Sequence, residues 1–155
     1  MIRTTGALLN YVVYISREAF RFDKKTLSEI LVRSREWNAE HGISGILLYH
    51  SGNIMQVLEG SKEEVQAIFK AIETDKRHKD VTKIADNLIE ERNFKDWSMA
   101  FRTASPEFFH EVSGYTELNG NLLPEERTAN HSILFLLKTF LALNPSVDDS
   151  NFGKL

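Results

Sequence analysis

Gln56 stands in the middle of the apolar run Ile54-Met55-Gln56-Val57-Leu58, where burial would leave up to about four hydrogen-bonding positions on a single amide to satisfy. Tyr14 lies between Val12 and Ser16 on an early strand-like run, and Ser34 and Asn38 lie one turn apart on a segment of helical pattern. Amides, phenols and hydroxyls among apolar neighbours must find partners. They either satisfy one another or surround a flat heteroaromatic ligand rich in donors and acceptors. Taken singly, each residue is better explained by an internal network than by a ligand. Hydrolytic and metal chemistry have less to work with. The five histidines, His41, His50, His78, His110 and His131, show no ligand spacing such as H-E-x-x-H, and there is no cysteine. Gly42-x-x-Gly45 is too little for a phosphate loop, and Asp75 and Glu59 read as an ordinary helix-end charge and strand-end charge.

Elements that would position these groups follow from the pattern. Tyr11-Val12-Val13-Tyr14-Ile15 reads as a strand with Val12, Tyr14 and Ser16 on one face. Thr26-Leu27-Ser28-Glu29 has the form of a capping box, Leu27, Ile30, Leu31, Ser34 and Trp37 follow at helical spacing, and Gly42 is placed to stop that helix. Residues 42–60 form two apolar strands joined at Ser51-Gly52-Asn53. Ser61-Lys62-Glu63-Glu64 opens a second helix whose buried stripe is Val65, Ile68, Phe69 and Ile72. Val81, Ile84, Ala85, Leu88 and Ile89 have helical spacing, so pattern alone favours a helix there, whereas Trp97 to Phe101 alternates as a strand. Further on, Ser105-Pro106-Glu107 and Leu123-Pro124-Glu125 each place proline at a first helical position. The second of these helices is expected to run from about Pro124 to Leu143; its SILFLLKTFLAL half is apolar nearly all round, which implies burial on more than one side. Residues 146–155 read as a loose end.

The totals bound the class. A chain of 155 residues with 42% hydrophobic content fits one globular domain with a short appendage. A net charge of -3 argues against nucleic-acid binding, which needs a basic stripe. The longest apolar run, Ile133 to Leu137, is too short to span a bilayer, and the first residues start no signal-peptide pattern, so a soluble cytoplasmic protein is expected.

Six elements then occur in one order: Tyr14-x-Ser16, Ser34-x-x-x-Asn38, Gly42-Ile43-Ser44-Gly45-Ile46-Leu47, Gln56-Val57-Leu58-Glu59-Gly60, Asp75-x-Arg77-His78 and Trp97-Ser98-Met99. Over about residues 10–103 this resembles the BLUF family of blue-light sensors using flavin. The resemblance implies an α+β, ferredoxin-like sandwich of order β-α-β-β-α-β-β: a mixed five-stranded sheet with two helices on one face. C-terminal helices are expected on the other face. It also makes Thr82 to Glu91 a strand against its helical-looking pattern. The domain organisation it implies is a flavin-binding sensor over 1–103 and a helical extension over 104–155.

The same resemblance implies FAD, with FMN possible, between the two helices. Tyr14 and Gln56 would be the photoactive pair, Asn38 would bond the pyrimidine end of the ring, and Ile30 and Ile72 would pack on its faces. Ser34 would hold the glutamine network, Asp75, Arg77 and His78 would lie near the rim, and Trp97 or Met99 would pass the signal on. The implied chemistry is proton-coupled electron transfer from Tyr14, relayed by an amide left rotated or in its imidic tautomer. Three departures from the usual family residues are Trp37 beside Asn38, Ser44 for threonine, and Met55 before Gln56. No cyclase or cyclic-diguanylate hydrolase follows, and the tail resembles those of short BLUF proteins, which form dimers or larger rings and signal through a separate protein. The expectation is therefore a non-enzymatic, light-dependent interaction module. Two other readings stay open: a ferredoxin-like enzyme using Asn38, Arg77 and His78 on a small phosphorylated or acylated substrate, and a cofactor-free oligomerisation module.

Overall fold

The structure is a computed structural model, and it describes residues 8–94, 100–103 and 131–143. In chain order the elements are β1 (Leu9–Glu18), α1 (Lys24–His41), β2 (Ser44–His50), β3 (Asn53–Ser61), α2 (Lys62–Glu73), β4 (His78–Ile89), β5 (Ala100–Thr103) and α3 (His131–Leu143). The strands form one sheet in the order β4-β1-β3-β2-β5. β2 and β5 are parallel and the other pairs antiparallel, which gives the mixed ferredoxin-like sheet expected from the sequence.

Strand alternation divides the core into two layers. On one face Val12, Tyr14, Leu47, Tyr49, Ile54 and Leu58 pack with Leu27 and Leu31 of α1 and Val65 and Phe69 of α2. On the other face Tyr11, Val13, Ile46, Leu48, Met55 and Val57 pack with Ile133, Leu137 and Phe140 of α3. The C-terminal helix thus covers the sheet face opposite the first two helices. Ile133, Leu137 and Phe140 are its buried residues on that face, and Phe135 and Leu143 are exposed.

Most local signals held. α1 does not start at Thr26. Asp23 is the N-cap: its Oδ1 accepts from the Thr26 backbone N–H at 2.8 Å, so the helix already begins at Lys24 and Thr26 is its third residue. The helix ends on Gly42 at φ 66, the left-handed conformation that favours glycine. The β2–β3 connection is the two-residue turn Ser51-Gly52, both at positive φ, and Asn53 already belongs to β3. Ser61 caps α2 through the Glu64 backbone N–H, as its capping-box pattern requires.

The 78–89 segment is a strand, and its misleading period has a cause. Its pairing with β1 shifts register between Val13 and Tyr14 and again between Ile15 and Arg17. Each shift reverses which face the following residues meet. Lys83 therefore lies over the Phe69 ring on the α2 side, whereas Ala85 packs on the α3 side. A strand interrupted in this way loses its two-residue alternation. Trp97, Met99, Pro106 and Pro124 lie outside the described residues.

Candidate functional site

A cavity of about 290 Å³ opens between α1 and α2 above the sheet, near the lower end of the ~300–1,000 Å³ typical of ligand pockets. Every described residue that the sequence nominated for the site lines it. α1 contributes Ile30, Ser34 and Asn38; β1 and β3 contribute Tyr14 and Gln56. Ile72 comes from α2, and Asp75, Arg77 and His78 come from the α2–β4 connection and the start of β4. The helical spacing of four between Ser34 and Asn38 puts both on one face of α1. Ile30 and Ile72 approach from opposite helices.

The floor is set by strand pairing. Tyr14 stands opposite Gln56 in the β1–β3 register, and Leu47 stands on the other side of Gln56 in β2. Tyr14 and Gln56 are both buried, and the phenol donates a hydrogen bond to Gln56 Oε1. Burial, and secondarily the negative charge of Asp75, push the Tyr14 hydroxyl pKa far above its usual value, so the neutral phenol is the form present. Phe69 and His78 pack against its ring at centroid distances of 5.7 and 6.0 Å.

His78 ties three elements together. Nε2 is 2.7 Å from the Ile72 carbonyl, which can only accept, so the proton sits on Nε2. Nδ1 is 2.9 Å from Ser16 Oγ and accepts from that hydroxyl when the ring is neutral. At the rim, Arg77 forms a fork on Asp75, with Nη2 donating to Oδ2 at 2.6 Å and Nε to Oδ1 at 3.0 Å. The Asp75 carboxyl is accordingly held below the ordinary carboxylate range, chiefly by this hydrogen bonding.

Sequence reasoning missed part of the lining. Tyr49 and Leu47 of β2, Phe22, Arg33 and Ile68 also face the cavity. The alternation of β2 carried that signal, since Leu47 and Tyr49 share the face that pairs with Gln56 and Ile54. Trp37 lines the cavity too, with its indole stacked on His41 at 4.0 Å and 44% exposed. Together these residues suit a flat conjugated ring: apolar walls from two helices, and buried amide and phenol groups at the floor.

Glu59 corrects the sequence reading most sharply. It is completely buried rather than an ordinary strand-end charge. Oε1 accepts from Ser44 Oγ at 3.0 Å and the Phe94 backbone N–H at 2.5 Å, and Oε2 accepts from the Asn93 backbone N–H at 2.9 Å. Arg92 fastens the same corner by donating to Ser44 Oγ and to the Gly42 carbonyl. Desolvation outweighs these bonds and raises the carboxyl above its ordinary 4.5. A raised carboxyl favours the folded state below the unfolded value, and that stability is lost as pH rises through the folded value. Glu59→Gln is therefore expected to flatten the fall in stability as pH rises above 4.5. The slope removed is at most about 1.4 kcal/mol per pH unit, read from urea midpoints; an unchanged slope would contradict the assignment.

Comparison with known proteins agrees with this geometry. The sequence model of the family described as "BLUF: Sensors of blue-light using FAD" matches residues 9–100. Photoactivated adenylate cyclase subunit beta of Euglena gracilis is 34% identical over 101 residues, 64% of this chain and 11% of that protein. The blue light- and temperature-regulated antirepressor BluF of Escherichia coli is 29% identical over 89 residues, 56% of this chain and 22% of that protein. The match thus spans only about a tenth of the length of the cyclase subunits. Among solved structures, dark-state BlrB, "a BLUF protein", superposes with a TM-score of 0.61 and 31% identity, covering 63% of this chain and 74% of its own. BlsA in its ground state gives a TM-score of 0.63 and 28% identity, covering 84% and 85%. The chain belongs to the BLUF family of flavin-binding blue-light sensors.

Proposed function

We propose that this chain converts blue-light absorption into a rearranged hydrogen bond at Gln56, and that the change is read by a separate protein. The observation that carries this reading is the buried Tyr14–Gln56 hydrogen bond in the floor of the cavity. Asn38, Gln56, Ser34, Ile30 and Ile72 would hold the isoalloxazine, and Asp75, Arg77 and His78 would border it. When bound, the photoexcited isoalloxazine supplies a strong oxidant.

The residues of the chain supply the rest. Tyr14, kept neutral by burial, loses an electron together with its hydroxyl proton, because an oxidised phenol is far more acidic than ground-state tyrosine at about pKa 10. Gln56 Oε1 is the acceptor already in place. The carboxamide takes this proton on Oε1 and would give one up from its nitrogen toward the ring. Once an electron and a proton have returned to the phenol, the amide is left rotated or in its imidic tautomer, which exchanges an acceptor for a donor at Tyr14. Intermediate orientations leave buried polar groups unpaired, so two discrete arrangements are favoured over a continuum.

FAD is the proposed cofactor, with FMN the alternative. The sensor comprises residues 1–103, and residues 104–155 form a helical extension that relays the signal together with Trp97 or Met99. The proposed output is light-dependent association of a homo-oligomer, a dimer or ring, with a separate cytoplasmic signalling protein rather than catalysis by the chain. Among the described residues no helix is long and apolar enough to cross a membrane, and no cluster of metal-ligating side chains occurs. Absorbance of the purified protein before and after blue light tests the proposal. A yellow protein whose flavin bands move reversibly to the red supports it; a colourless protein with enzymatic turnover contradicts it.

A further inference from the structure

We propose that Tyr49 is a second light-driven electron donor to the same cavity, with the Glu18 carboxylate as its proton acceptor. The inference rests on the reading above, in which flavin occupies the cavity. Tyr49 lies on β2 opposite Ile54, two residues beyond the Leu47–Gln56 pair, and faces the cavity while only 6% exposed. Its hydroxyl donates to Glu18 Oε1 at 2.6 Å, and the same oxygen accepts the Phe22 backbone N–H at 2.9 Å. The Phe22 ring stacks on Tyr49 at 5.6 Å with an interplanar angle of 22°. Glu18 is held in turn by the hairpin: its backbone N–H donates to the Gly52 carbonyl at 2.9 Å, and a Cβ on Gly52 would stand 2.7 Å from Glu18 Oε2. Burial raises the Tyr49 hydroxyl pKa, so a protonated phenol faces the cavity.

The two tyrosines differ in what receives the proton. Tyr14 donates to a neutral amide oxygen, a very weak base, so transfer forces Gln56 to change. Tyr49 donates to a carboxylate, which needs no rearrangement to bind a proton. In the proposed step one electron passes from Tyr49 to the photoexcited isoalloxazine, which is the oxidant. The Tyr49 hydroxyl proton moves to Glu18 Oε1, leaving a neutral phenoxyl and a carboxylic acid. When the electron returns, the proton goes back to the phenol, and no bond to the ring is made or broken. This path leaves Gln56 untouched, so it competes with switching and dissipates the excitation.

The test is the excited-state lifetime of bound flavin in a Tyr14→Phe background, measured in light and heavy water. Adding Tyr49→Phe is expected to lengthen the lifetime several-fold. Adding Glu18→Gln, which keeps an acceptor oxygen but removes the base, is expected to lengthen it and to abolish the solvent deuterium effect. In flavin-free protein, Glu18→Gln should also lower the pH at which Tyr49 ionises, read as tyrosinate absorbance. Lifetimes unmoved by both changes overturn the inference, as does lengthening by Trp37→Phe alone, since that indole also lines the cavity. Such outcomes leave the Tyr14–Gln56 switch standing; failure to bind flavin, or a full red shift in Tyr14→Phe, overturns both.

Discussion

Tyr14→Phe is expected to retain bound flavin and to lose the reversible red shift completely. The ring stays, so packing against Phe69 and His78 is preserved and the cavity keeps its shape. What disappears is the hydroxyl that donates to Gln56 Oε1, and with it both the transferable proton and the donor that orients the amide. The stability cost is set by the acceptor left behind, about 1–3 kcal/mol for a buried group without its partner. The measurement is the light-minus-dark absorbance spectrum of the flavin-loaded variant, beside urea unfolding. A normal shift would show that Tyr14 is not the proton source.

The second large effect is on folding. Gly45→Ala is expected to destabilise the domain by at least the ~3 kcal/mol at the upper end of overpacking changes. A Cβ at this position would stand 1.9 Å from the Val57 carbonyl oxygen, and that neighbour is backbone of a central strand rather than a flexible side chain. Relief requires β2 and β3 to part by more than an ordinary adjustment, against the pairing that runs from Ser44 to His50. Val57 adjoins Gln56, so the displacement reaches the cavity floor, and flavin retention should fall along with the urea midpoint. A variant with unchanged midpoint would mean that the two strands are not held at this separation.

Much of this was legible in the chain, for definable reasons. Tyr14, Gln56, Ser34 and Asn38 announced themselves because polar side chains at strand or helix spacing among apolar ones demand partners, and the structure brings all four to one cavity. Gly42 and Ser61 acted as local signals should, since a left-handed helix end and a capped first turn depend on adjacent residues only. Other features depend on distant parts of the chain and carried no local mark. Gly45 looked like a fragment of a weak glycine motif, but its reason is the Val57 carbonyl across the hairpin. Glu59 looked like a surface charge because the donors that bury it, at Asn93 and Phe94, arrive from a connection more than 30 residues away. β4 resembled a helix because its two register shifts exist only in pairing with β1. The first-helix start was misjudged for a simpler reason: Asp23 and Thr26 are both competent caps, and the upstream one took the N–H of the other.

The central claim is that a buried carboxamide changes its hydrogen bonding after light and that the flavin spectrum reports this. Gln56→Leu is the most direct test, because leucine fills similar space, pairs in the same strand position and offers no donor or acceptor. The light-minus-dark absorbance of the flavin-loaded variant, recorded beside the unaltered chain, should show bound flavin and no reversible red shift. A shift of normal size and recovery in Gln56→Leu would contradict the claim.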